Sequence, residues 1–222
     1  MKNRRAVTVL ELIIAMTIVL VVSSLGALML QSTSRAAIRT TMRTEMAQQA
    51  LVASQRLLAD LRHSCCGGIS IRSGASPLAI AICPLSQPGL RPAQPAAVAN
   101  NGELLWSDFF QIYHYDSNKQ TLNYREWPPG APSATPEELD PSKPRRLSPG
   151  RLAEILNNPA PRQATLITGL TAFQVSYPPG GSDLLLVQPV LLKFTLQRKC
   201  NTGRPDPETY TYQRSFFLPE QR

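Results

Sequence analysis

Glu11 is the residue whose surroundings demand the most chemical explanation. It is the first carboxylate of the chain, it opens a long apolar run, and the 23 positions 12–34 that follow it carry no charge. A run of that length can cross a bilayer, which takes roughly 20 residues. An acidic side chain costs about 2.5–3.5 kcal/mol at the centre of such a span and less at its edge, so one placed there asks for a partner. A cut between Ala6 and Val7 would supply it. The new Val7 amine would lie four residues before Glu11, on the same face of a helix. In a bundle of such helices the Glu11 carboxylate of one subunit would pair with the Val7 amine of the next. Unpaired charge is costly in a low-dielectric bundle, so this pairing would set the register between subunits. The carboxylate also suits the positive end of the helix dipole.

The other reactive residue types are few. Cys65, Cys66, Cys83 and Cys200 match no zinc spacing, because two are adjacent and two isolated. Outside the cytoplasm disulfides are their natural use. The favoured connectivity joins one of the adjacent pair to Cys83 and the other to Cys200, since a ring between neighbours is strained; buried reduced thiols are the alternative. The two histidines, His63 at a helix end and His114 between two tyrosines, read as structural. No GxSxG, HExxH or phosphate-binding glycine loop is present. The chain therefore reads as a non-enzyme with no metal and no cofactor. The aromatic stretch FFQIYHY with Arg125 and Trp127 has the composition of a base-stacking surface. A sheet face that covers a helix has the same composition, and nucleic acid is the weaker of the two readings.

These residues must be positioned by two kinds of element. From position 7 to about 63 there is no proline, and Gly26 is the sole glycine. After the apolar run, Ile38, Met42, Met46, Ala50, Leu57 and Leu61 recur at steps of four or seven, which predicts one face of a continuing helix. Arg35, Arg39 and Arg43 form a basic stripe on another face, read as a solvated or headgroup edge. The Cys65-Cys66-Gly67-Gly68 segment reads as the glycine stop. Beyond it the pattern turns to strands: 69–72, 78–83, a hairpin of 104–115 and 121–127, then 164–177, 184–198 and 208–218, with a short helix at 150–157. Seven prolines crowd 127–149, which reads as a loop. The expected fold class is α+β, a long helix on an antiparallel β-sheet body.

The organisation that follows is a leader at 1–6, a transmembrane half of the helix at 7–34, an amphipathic half at 35–66 and a β-rich body at 67–222. About 190 residues follow the apolar run, enough to bury a core. Net charge is +8, of which Lys2, Arg4 and Arg5 supply three, leaving a weakly basic remainder. The segment 141–151 carries Lys143, Arg145, Arg146 and Arg151, the composition of a solvated loop or of a docking arm for an acidic partner. Basic residues flank the apolar run on both sides, so charge alone leaves the topology tied. The cysteines, the prolines and the short leader favour a body outside the cytoplasm. A cleaved secretory signal, with Ser23, Ser24, Gly26 and Ala27 mimicking the site, fits less well because the run is too long and continues into a helix.

The segment RRAVTVLELIIAMTIVL resembles the N-terminal signature of type IV prepilins and type II secretion pseudopilins: a short basic leader, a small residue before the cut, and a glutamate at the fifth mature position. Ala6, Val7, Thr8, Leu10 and Glu11 occupy the matching positions. Ala6 replaces the usual glycine and Val7 the usual phenylalanine. The absence of a mid-span proline leans toward a minor subunit, and LLADLRHS, IYHYDSNKQTLNYRE and TLITGLTAFQVSY are similar to large minor pilins and J-type minor pseudopilins. The resemblance implies a pilin-like fold, cleavage by a prepilin peptidase after Ala6, N-methylation of Val7, and subunit register through Glu11. It also implies assembly with other minor pilins or pseudopilins, the major subunit and an inner-membrane assembly platform. The chain would pass the inner membrane once with its C-terminal domain in the periplasm, then enter a pilus or pseudopilus. The competing expectation is an uncleaved, single-span periplasmic binding protein, with DNA among its conceivable ligands.

Overall fold

The computed structural model describes residues 8–74, 77–85, 105–127, 146–158, 163–183, 187–199 and 207–217. The leader, Val7, most of the proline-rich segment and Cys200 lie outside these residues. Helix α1 is one unbroken element, Val9–Arg62, of 54 residues and therefore about 81 Å long. No proline interrupts its hydrogen-bond ladder. It ends at Arg62, before the glycine pair: the His63 N–H reaches back to the Asp60 carbonyl at 3.2 Å, and Cys66–Gly68 form a separate 3-10 turn. Gly68 is required there by space. A Cβ on it would lie 2.3 Å from the Trp106 ring and 2.7 Å from the Cys83 carbonyl.

The body is α+β. Strands β1 (Ile69–Arg72), β2 (Ala79–Ile82), β3 (Phe110–Asp116), β4 (Thr121–Trp127) and β5 (Gln163–Thr168) form a five-stranded antiparallel sheet in that order. Strands β6 (Leu170–Ser176), β7 (Val190–Arg198) and β8 (Glu208–Phe216) form a second, three-stranded antiparallel sheet. The expected hairpin is present, with its first strand starting at Phe110. Its turn is fixed by Asp116, whose carboxylate accepts from the Asn118 and Lys119 N–H groups at 3.0 and 3.1 Å. The expected single strand 164–177 is two strands in different sheets. Gly169 divides them at φ +72°, a conformation that favours glycine, and its carbonyl accepts from the Gln197 N–H at 2.8 Å.

Two cores result. The second half of α1 inserts Met46, Ala50, Ala53, Leu57 and Leu61 against inward-facing residues of both sheets, including Ile80, Tyr113, Leu122 and Phe194. On the opposite face of the five-stranded sheet, α2 (Pro149–Asn157) buries Leu152 and Ile155 against Ile112, Phe110 and Trp127. The predicted helix stripe holds from Met46 onward. Ile38 departs from it, 47% exposed, because the body begins further along the helix. The basic stripe departs too: Arg39 and Arg43 hold Glu208, the first residue of β8, at 3.5 and 2.9 Å.

Candidate functional site

The first half of α1 projects as a free apolar rod. It is long and apolar enough to cross a membrane, and none of its most apolar window is buried. Leu12, Ile18, Leu20, Leu25, Leu28 and Leu30 are all exposed. Several hydroxyls within it are satisfied locally. The Thr17 hydroxyl donates to the Ile14 carbonyl, Ser24 to Val21 and Ser32 to Met29, each at 2.8 Å. Hydroxyls that bond their own helix present no unmet donor to a surrounding hydrocarbon phase.

Glu11 is held at the entrance of this rod by Thr8. The Thr8 N–H donates to Glu11 Oε2 at 3.0 Å, the Thr8 hydroxyl lies 3.2 Å from the same oxygen, and the Glu11 N–H donates back to Thr8 Oγ1 at 3.3 Å. This is a capping box, in which two orphan backbone donors of the helix start are satisfied reciprocally. Its signal in the sequence is a threonine, two residues, a glutamate and then an apolar run, which a reading of Glu11 by charge alone does not use. The partner expected for Glu11, the Val7 amine, and the cleavage position Ala6 lie outside the described residues.

Cys65 and Cys83 are buried in the core beneath α2, and Cys66 is half-buried. No disulfide forms among the described residues, so the expected link to Cys83 is not made. A bond to Cys200 lies outside them. Burial pushes the Cys65 thiol up, which leaves it little thiolate character.

The aromatic strand turns several of its side chains into the fold. Phe110, Tyr113 and Trp127 are buried, and so is Arg125. The Arg125 guanidinium donates to the carbonyls of Ile155 and Asn158, the latter at 2.9 Å, and so satisfies the orphan carbonyls at the end of α2. His114 stands on the same sheet face. Burial, with the Arg125 charge beside it, lowers its pKa to about 4. Among the described residues no group of three His, Cys, Asp or Glu side chains is placed to hold a metal ion.

One polar constellation was missed by the sequence reading. Near the end of α1, Asp60 accepts a short hydrogen bond from the Tyr113 hydroxyl, and Arg56 lies 4.0 Å over the Tyr124 ring. The two tyrosine rings meet edge to face at 5.3 Å, and the Tyr124 hydroxyl donates to Glu126 at 2.9 Å. Burial raises the Asp60 carboxyl and pushes Tyr113 well above the ordinary phenol range; Tyr124 rises to about 12 through burial and the Glu126 carboxylate. Each group is matched by another within the set, so the constellation fastens helix to sheet. Asp60 and Tyr113 are 53 positions apart, and no local pattern pairs them.

The described geometry thus presents three things: an unpartnered apolar rod, an acidic cap at its tip and a body clamped to its far half. No protein-family model, curated protein or solved structure matches this chain.

Proposed function

We propose that the chain is a minor pilin or type II secretion pseudopilin subunit. A prepilin peptidase cuts it after Ala6, and the apolar half of α1 then passes from the inner membrane into a filament or its tip complex. There it joins other minor subunits, the major subunit and the assembly platform, with the body in the periplasm. The observation that carries this reading is the division of labour along α1. One continuous helix gives half its length to the body and leaves the other half, 0% buried in its most apolar window, for a bundle or a bilayer. The leader motif and the position of Glu11 support it. In this reading the protein is an assembly component without catalytic activity.

A second reading draws on the Thr8–Glu11 box. Because the box gives Glu11 a local role in starting the helix, an uncut single-span anchor with a periplasmic binding domain also accounts for the carboxylate. Intact-mass analysis of the membrane-extracted protein, with and without the prepilin peptidase, separates the two. A chain that starts at Val7 only when the peptidase is present supports the subunit. A chain that keeps residues 1–6 in both strains supports the anchor.

A further inference from the structure

Arg35, Arg39 and Arg43 recur every four residues and share a face of α1. Arg39 and Arg43 are engaged by Glu208 at the start of β8. Arg198, at the end of β7, reaches Glu45 at 2.8 Å. Arg198 and Glu208 are register partners, so this end of the three-stranded sheet meets the helix at one place. Arg35 lies one turn nearer the apolar half on the same face, and therefore beneath this end of the body. Arg35 and Lys199, the residue after β7, are exposed and make no ion pair among the described residues. Arg35, Arg39, Arg43, Arg198 and Lys199 outnumber Glu45 and Glu208 by three, and Asp116 and Lys119 of the neighbouring hairpin turn offset each other.

Position gives that excess its meaning. The uncharged run stops at 34, so Arg35 stands at its border, with Arg39 about 6 Å and Arg43 about 12 Å further along the axis. Helical side chains lean toward the N-terminus, here toward the apolar half. A headgroup layer is about 5–7 Å deep, and the field of its charges decays over about 8 Å. Resting on the reading that the apolar half spans a bilayer, we propose that this end of the body is a seat for an anionic phospholipid surface. Arg35 and Lys199 take headgroup phosphates, and the clamp arginines add the charge that Glu208 leaves over. A lipid surface fits better than an acidic protein or a nucleic acid because Arg35 lies between the body and the apolar run, at headgroup depth.

The test uses the full, uncut chain in lipid nanodiscs, with a fluorescent amino acid at the exposed Thr209 and a nitroxide on a fraction of the headgroups. Quenching is expected to be about twofold stronger when about one-third of the lipid is phosphatidylglycerol than in neutral phosphatidylcholine. About 0.5 M NaCl should remove the difference, and so should the double variant R35E/K199E with its near-UV circular dichroism unchanged. Equal quenching in the two lipids overturns the proposal, as does a difference that survives both salt and charge reversal. Loss of the difference on adding a stoichiometric oligonucleotide reassigns the patch to a macromolecule and overturns it too. The measurement requires no peptidase and no filament, so failure of the subunit reading leaves it standing. A chain that never enters the disc removes the spanning half and the seat together.

Discussion

Thr8 and Glu11 hold each other at the tip of α1, each side chain accepting a hydrogen bond from the other's backbone N–H, at 3.3 and 3.0 Å. Glu11 Oε2 is therefore engaged within its own helix, while the second carboxylate oxygen keeps its capacity to accept. A glutamine can make the same box, whereas alanine cannot.

The pair of variants Glu11→Gln and Glu11→Ala separates capping from charge. On the proposed subunit reading, both should be cut by the prepilin peptidase. Glu11→Ala keeps the bond from its own N–H to Thr8 Oγ1 but loses the reciprocal bond to the Thr8 N–H, together with the charge. Glu11→Gln keeps the cap and loses only the charge. If charge pairing sets register, both fail to co-purify with sheared filaments; normal incorporation of Glu11→Gln would assign the residue to capping alone.

Tyr113→Phe removes the hydroxyl that donates to Asp60 and leaves a half-buried carboxylate short of a donor. Urea unfolding should show a loss of about 1–3 kcal/mol. Asp60→Asn combined with Tyr113→Phe should cost less than the two single losses added, because the residues are coupled. Strict additivity would contradict the pairing.

His114 makes the fold sensitive to acid. Its folded pKa of about 4 lies below the ordinary histidine value, so the unfolded chain takes up the proton first. Stability is full above pH of about 6.5, falls as pH drops toward about 4, and is level below that with respect to this group. A wholly dry ring would lose about 3 kcal/mol; solvent at its edge reduces this to about 2 kcal/mol. Titrating the unfolding midpoint of His114→Gln should flatten the profile in this window.

Glu208→Gln releases two guanidinium groups from one nearly buried carboxylate. The expected loss is about 1–2 kcal/mol, with faster amide exchange in β8. High salt should shrink the difference between variant and parent. An exchange rate in β8 that does not change would mean that the clamp adds nothing to docking.

The sequence disclosed what repeats locally. The absence of proline and the stripe from Met46 to Leu61 marked α1, and the alternation around Asp116–Gln120 marked the hairpin. It hid what depends on distant partners. Ala164 to Tyr177 reads as one strand because both halves alternate alike; only the approach of Gln197 to Gly169 shows why the chain changes sheets there. Arg125 reads as part of a base-stacking or helix-covering face, since nothing local says that the end of α2 will meet it. Arg39 and Arg43 read as solvated because Glu208 is more than 160 positions away. Gly68 reads as part of a helix stop, but the helix ends at Arg62 and the glycine serves packing against Trp106, which is distant in sequence.

The unbroken ladder of α1 also fixes an angle. With no proline between Val9 and Arg62, the azimuth of the body about the helix axis is set by counting residues between the apolar run and Arg39. One residue inserted there would swing the body by about 100° and raise it by about 1.5 Å, while the core beyond Met46 stayed intact. Helix pitch thus acts as an index mark, converting chain length into the direction in which the body faces.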